Sequence, residues 1–117
     1  MNPKNGHIKT YIGGTNFLKT KFDRVRQSFP QTGSSFKPFI YASAISRGYD
    51  ASSLINDAPI IFEDENLEDY WRPENYTKKF YGLTRLREAL VQSINIVSIK
   101  LLRNIGVENV RNDLQAF

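Results

Sequence analysis

Apolar positions along this 117-residue chain switch between a two-residue and a helical period, with polar stretches in between. At the start, Pro3, Asn5 and Gly6 supply turn chemistry. His7 to Ile12 then alternates, with Ile8 and Ile12 on one face, which predicts a strand ended by Gly13-Gly14. The partner strand of such a hairpin would lie before Met1, a first hint that the domain is larger than this chain. A polar, basic connection follows from Thr15 to Thr32. Gly33 to Gly48 has the signature of a helix opened by a Gly/Ser cap and closed by glycine. Pro38 lacks an N–H and fits only the first turn, so the helix should begin near Ser34 or Ser35. Phe36, Phe39, Ile40, Ala42, Ala44 and Ile45 cover most of its circumference, which predicts a buried helix.

From Tyr49 to Gly82 the periodicity breaks up. Asn56-Asp57-Ala58-Pro59 and Arg72-Pro73-Glu74-Asn75 are loop signals, and the pattern admits a short strand at Ile60-Ile61-Phe62. So long a connection is expected to cover part of a surface or site. Helical spacing resumes at Leu83, Leu86, Ala89 and Leu90. After a break at Gln92-Ser93 it runs through Ile96, Val97, Ile99, Leu101 and Leu102 to Gly106, and a last helix is expected from Val107 to Phe117. No internal repeat or low-complexity tract interrupts this order.

Composition narrows the chemistry. With 40% hydrophobic residues the chain can build a core. No apolar run approaches the roughly 18 residues of a membrane span, and no signal-peptide pattern opens the chain. The absence of cysteine removes disulfides, cysteine–zinc sites and thiol catalysis, and one histidine disfavours a histidine metal cluster or a Ser-His triad. A net charge of +4 is too small to name a partner. The densest basic cluster, Lys19, Lys21, Arg24 and Arg26 around Phe22, suits a solvated loop, so no nucleic-acid partner is expected. Lys78-Lys79, Arg85, Arg87 and His7 are expected to face solvent. The acidic stretch Glu63 to Asp69 lacks calcium-loop spacing and fits a solvated loop. Trp71 suits packing better than a place in a cleft.

Two short motifs can carry a reaction. In Ser34-Ser35-Phe36-Lys37, positions i and i+3 share a helix face, so hydroxyl and amine can meet. A serine hydroxyl needs a base, and lysine can be that base when desolvation and a helix N-terminus lower its pKa. Free N–H groups at the same helix end can stabilise an oxyanion. The plain alternative is an N-cap serine followed by a surface lysine. Ser93-Ile94-Asn95, between two helical runs, can project a hydroxyl to relay a proton and a carboxamide to hold a substrate amide; its plain alternative is also helix capping.

Ser-x-x-Lys opening a helix, followed by Ser-x-Asn, matches two of three motifs of penicillin-binding proteins and class A β-lactamases. The flanks are more specific. The Asn2-Pro3-Lys4-Asn5-Gly6 turn, Gly33 to Tyr41, the Asn56-Asp57-Ala58-Pro59 turn, Trp71 to Tyr76, and Leu86-Arg87-Glu88-Ala89-Leu90 before Ser93 together resemble the transpeptidase domain of class A penicillin-binding proteins. The resemblance covers nearly the whole chain, in order.

The resemblance implies an α/β fold, an antiparallel sheet with helices on both sides. Residues 1–117 would form the N-terminal part of one transpeptidase domain, holding one sheet strand and the helical subdomain around Ser34, with apolar surface exposed where other strands belong. It implies that Ser34 attacks the penultimate D-Ala carbonyl of a peptidoglycan stem peptide, with Lys37 as general base, Ser93 as proton relay and Asn95 as a partner of substrate and lysine. Penicillin would acylate the same serine. No cofactor or metal is called for. Such proteins work outside the cytoplasmic membrane, behind an N-terminal anchor and a glycosyltransferase domain that are not in this sequence. Thr32 replaces the usual proline before Gly-Ser. More importantly, no Lys-Ser/Thr-Gly triplet follows Ser93, so these residues are expected to carry half a site with little activity alone. A β-lactam sensor or β-lactamase, and a non-catalytic module whose motifs are only helix caps, stand as rivals; Trp71-Arg72-Pro73-Glu74-Asn75 favours the class A synthase.

Overall fold

A computed structural model of the chain describes residues 1–61 and 71–116. It divides into two compact units, Met1–Thr32 and Gly33–Phe117. The first unit contains no helix or strand. The expected opening turn is present: the Asn2 N–H donates to His7 O at 2.8 Å and the Gly6 N–H to Asn2 O at 2.9 Å. The expected His7–Ile12 strand is not. A strand is held by its ladder, and these residues pair with no other segment among those described; Ile8 and Ile12 are exposed. Lys19, Lys21, Arg24 and Arg26 lie in an exposed loop, as expected, and His7 is exposed too.

The second unit holds the regular elements. Gly33–Phe36 forms a 3-10 turn that runs directly into α1, Lys37–Ile45. The helix therefore starts tightly at Gly33 and relaxes to α geometry one turn later, with Pro38 in the first α turn, where its missing N–H costs no bond. Burial is one-sided instead of all round: Lys37, Ile40, Tyr41, Ser43 and Ala44 are buried, while Ala42 and Ile45 face out. The apolar residues of the outer face misled the periodicity.

Two short strands replace the one expected at residues 60–62. β1, Leu54–Asp57, pairs antiparallel with β2, Gly82–Arg85, in the register Leu54↔Arg85 to Asp57↔Gly82. Ile60 and Ile61 are not in a strand, and Phe62 lies outside the described residues, as does the acidic stretch Glu63 to Asp69. Asn56 and Asp57, expected as turn residues, instead end β1. Leu83, expected to start a helix, is an exposed strand residue; α2 spans Leu86–Val91, with Leu86 as its first buried position.

α3, Asn95–Ile105, is the central helix. Ile94, Val97, Ser98, Leu101 and Ile105 recur at helical spacing on its buried side, and Ile96 is wholly buried as well. It packs against α1, α2, β1 and α4, which spans Val107–Asp113. Complete burial of a side chain such as Leu101 contributes about 1.5–3 kcal/mol, so this packing fixes where the first turn of α3 points. Gly106 ends α3 at φ +87°, a left-handed conformation that glycine adopts without strain. The last expected helix stops at Asp113 and continues as a 3-10 turn, Leu114–Ala116; Phe117 lies outside the described residues. The Arg47 guanidinium pairs with the Asp113 carboxylate, which also accepts from Ser43 Oγ, fastening the far end of α1 to α4. Ile45, Leu54, Leu83, Val91 and Val107 are exposed apolar residues of this unit.

Candidate active site

The candidate site forms where the start of α1 meets the junction of α2 and α3. Lys37 is the first residue of α1 and is 8% exposed. Its Nζ donates to Ser93 O at 2.6 Å, Ser93 Oγ at 2.9 Å and Asn95 Oδ1 at 2.7 Å. Three acceptors match the three N–H bonds of an ammonium. Burial meanwhile pushes the Lys37 amine below its ordinary value, the direction a general base requires.

Ser34 sits in the 3-10 turn one residue after Gly33. Side chains at i and i+3 eclipse in a 3-10 helix, which brings Ser34 into line with Lys37. The Ser34 hydroxyl is exposed and makes no hydrogen bond among the described residues. It is not an N-cap, since α1 is preceded by Phe36 without a side-chain cap. The structure thus joins Lys37, Ser93 and Asn95 by hydrogen bonds, while Ser34, in the 3-10 turn that leads into Lys37, makes none among the described residues.

The α2–α3 junction explains how Ser93 reaches Lys37. The Ser93 N–H donates to Leu90 O at 3.1 Å and the Ile94 N–H to Ala89 O at 2.8 Å, the paired bonds of a Schellman motif closing α2. In that motif the residue after the cap is left-handed and is usually glycine. Here it is Ser93, at φ +54°. The reversal of chain direction turns both the Ser93 carbonyl and its hydroxyl toward α1. Neither Ser93 nor Asn95 caps α3, whose N-cap is Ile94, a residue with no acceptor in its side chain.

The cap comes from elsewhere. Asn75 Oδ1 accepts the N–H groups of Asn95 at 3.0 Å and Ile96 at 3.1 Å, satisfying two of the free donors at the start of α3. Asn95 Nδ2 donates to Glu74 O at 3.0 Å, so Asn95 faces Lys37 with its oxygen and the Glu74–Asn75 segment with its nitrogen. Asn75 Nδ2 in turn donates to both oxygens of Asp57 at 2.9 Å and to Lys79 O at 2.9 Å. Sequence reasoning missed Asp57 and Asn75 as parts of a site, reading both as loop formers. The one signal that pointed to them was the uncappable Ile94 at the start of a long helix. Trp71, near the same segment, is half exposed.

The chain is similar to known proteins over its length. The family model for the penicillin binding protein transpeptidase domain matches residues 1–117. Penicillin-binding protein 1A of Pseudomonas aeruginosa is 46% identical over 117 residues, covering all of this chain and 14% of the relative. Penicillin-binding protein 1A of Vibrio cholerae is 45% identical over the same span, again 14% of its length. The crystal structure of penicillin-binding protein 1A from Haemophilus influenzae superposes with a TM-score of 0.82 at 38% identity, covering 89% of this chain and 15% of that one. The chain thus spans about one seventh of the length of these relatives.

Proposed function

Because the chain belongs to the penicillin-binding protein transpeptidase domain family, we propose that Ser34 is the nucleophile of a peptidoglycan D,D-transpeptidase, with Lys37 as its general base. The observation that carries this reading is the buried Lys37 amine bound to Ser93 and Asn95, an arrangement that helix capping alone would not produce. In its neutral form the amine takes the Ser34 proton as Ser34 Oγ bonds to the carbonyl carbon of the penultimate D-Ala. Collapse of the tetrahedral intermediate breaks the C–N bond, and the proton passes from Lys37 through Ser93 Oγ to the departing D-Ala amine. The amine of a second stem peptide then attacks the acyl-enzyme and forms the cross-link, Lys37 accepting its proton and returning it to Ser34; water in place of that amine gives carboxypeptidation.

Ser93 suits the relay because its hydroxyl can both accept and donate. When Lys37 is an ammonium, Ser93 Oγ accepts its third N–H. When Lys37 is an amine, the Ser93 O–H can turn to donate into its one lone pair, and it turns away when that lone pair takes the Ser34 proton. Asn95 holds the amine with its carbonyl oxygen. β-Lactams acylate Ser34 by the same attack, their ring nitrogen being the leaving group. The carboxylate-binding Lys-Ser/Thr-Gly triplet of the family is not among residues 1–117, and weak acylation is expected of these residues alone. The site of action is the outer face of the cytoplasmic membrane; among the described residues no helix is long and apolar enough to cross one.

Fluorescent penicillin labelling of the full-length protein tests the assignment. A covalent label mapping by mass to the peptide that contains Ser34, and lost in Ser34→Ala, is the expected result. A label that survives Ser34→Ala overturns it.

A further inference from the structure

We infer that Asp57 and Asn75 form a positioning pair that aims the first turn of α3, and through it Asn95 and Ser93, at Lys37. The inference rests on the acyl-transfer reading above, but it concerns residues that touch neither Ser34 nor Lys37.

Asn75 is buried, and every hydrogen-bonding position of its amide is used. Its oxygen accepts two N–H groups of α3, and its nitrogen divides two hydrogens between the Asp57 carboxylate and Lys79 O. The arrangement works in one orientation only. If the amide were flipped, an NH2 would face two N–H donors, and a carbonyl oxygen would face a carboxylate. The Asp57 carboxylate, a pure acceptor, enforces the working orientation.

Asp57 is itself fixed. It is fully buried at the end of β1, and its Oδ2 also accepts the Tyr81 N–H at 2.9 Å. The main chain on either side is clamped from α3: Lys100 Nζ donates to Asn56 O at 2.7 Å and Ala58 O at 3.1 Å. β1 and α3 are therefore joined twice, through Asn75 at the start of the helix and through Lys100 more than a turn later. Asn95 lies at the end of this chain of contacts, with its N–H on Asn75 and its Oδ1 on Lys37.

A buried carboxylate without a cationic partner is costly unless its hydrogen bonds are good. An apolar pair would leave the Tyr81, Asn95 and Ile96 N–H groups and Lys79 O without these partners. What an apolar pair could not provide is an oriented acceptor at the start of α3, where Ile94 supplies none.

The test is a polarity swap in the full-length protein, read by the rate of β-lactam acylation as a function of pH. Asn75→Asp keeps an acceptor for the α3 N–H groups but sets two carboxylates against each other. Asp57→Asn leaves a single acceptor oxygen for Asn75 Nδ2 and the Tyr81 N–H and sets an NH2 among those donors, so Asn75 loses the pure acceptor that orients it. Each single variant should acylate at least tenfold more slowly. Its rising pH limb should also move to lower pH, because a displaced Asn95 no longer accepts from the Lys37 ammonium and the charged form loses support. Burial is the cause of the Lys37 shift. The carboxylate added by Asn75→Asp would by itself favour the ammonium and move the limb up, so a downward displacement in that variant reads the loss of the Asn95 contact. In Asp57→Asn/Asn75→Asp, the new amide donates to the new carboxylate, which still accepts from α3 while Lys79 O loses its donor, so rate and limb should return most of the way toward wild type. Lys100→Met, which loosens the β1 clamp alone, should show the same displacement of the limb with a smaller loss of rate, and it serves if a single variant does not fold. Variants that fold yet keep the wild-type rate and limb, or a folded double variant that restores neither, overturn the inference. Absence of Ser34-dependent acylation in the unsubstituted protein overturns the acyl-transfer reading instead.

Discussion

Two left-handed positions flank the candidate site, and they are filled differently. Gly33, at φ +53°, precedes Ser34; Ser93, at φ +54°, is itself the residue that Lys37 contacts. The backbone demand is the same. At the first position the working hydroxyl sits one residue further on, so glycine can meet the demand without strain. At the second the working hydroxyl occupies the strained position, and the chain carries a cost of about 1–3 kcal/mol there. The Schellman bonds from Ser93 and Ile94, with Ala89 and Ile94 buried beside them, hold that conformation in place. At these two positions, strain is carried where the side chain contacts Lys37 and is avoided where glycine suffices.

Lys37 ties the two positions together, so its removal breaks the comparison most severely. Lys37→Met should slow β-lactam acylation of the full-length protein by about 10²–10⁴-fold, the range for loss of a general base, measured by stopped-flow or gel labelling. In the unsubstituted protein the acylation rate should rise with pH along a limb lying below the ordinary lysine value of 10.5. The same burial makes stability depend on pH. Between the depressed folded pKa and 10.5 the unfolded chain binds more protons, so stability rises with pH across that window. Lys37→Met should lack this rise in denaturant titrations run at several pH values.

Gly33→Ala probes the first position. A Cβ there meets nothing within 4 Å, so backbone strain is the whole effect, and stability should fall by about 1–2 kcal/mol in thermal or urea unfolding. The second position should show the smallest and most informative difference. Ser93→Gly and Ser93→Ala both delete the hydroxyl and should both slow acylation. Yet Ser93→Gly should be the more stable of the two by about 1 kcal/mol, reversing the order seen in ordinary helices, where alanine is favoured. Equal stability of the two variants would show that Ser93 bears no strain.

What could be read from sequence follows the range of the interactions. Ser34–Lys37 and Ser93–Asn95 are local spacings, so both motifs could be picked out, as could the break at Gln92-Ser93 that separates α2 from α3. Asp57 and Asn75 were hidden for the opposite reason. Asn and Asp beside proline are turn formers, and only the tertiary fold converts one into a strand end and the other into a cap for a helix 20 residues away. β1 escaped because Asn56 and Asp57 are poor strand residues, and Leu83 mimicked the helical spacing of Leu86 and Leu90 from within β2. His7–Ile12 shows the converse error: alternation describes a face, and a strand needs an edge to pair with.

The clasp of Asp57 on Asn75 also bears on how the chain can change length. It closes a segment with a sequence separation of 18. Closure entropy grows only with the logarithm of loop length, so doubling such a segment costs about 0.6 kcal/mol. Insertions between the two residues can therefore accumulate at little thermodynamic expense, provided both ends of the clasp persist. Energetics leaves the spacing between Asp57 and Asn75 open, whereas the short spacings Ser34–Lys37 and Ser93–Asn95 are set by local backbone geometry.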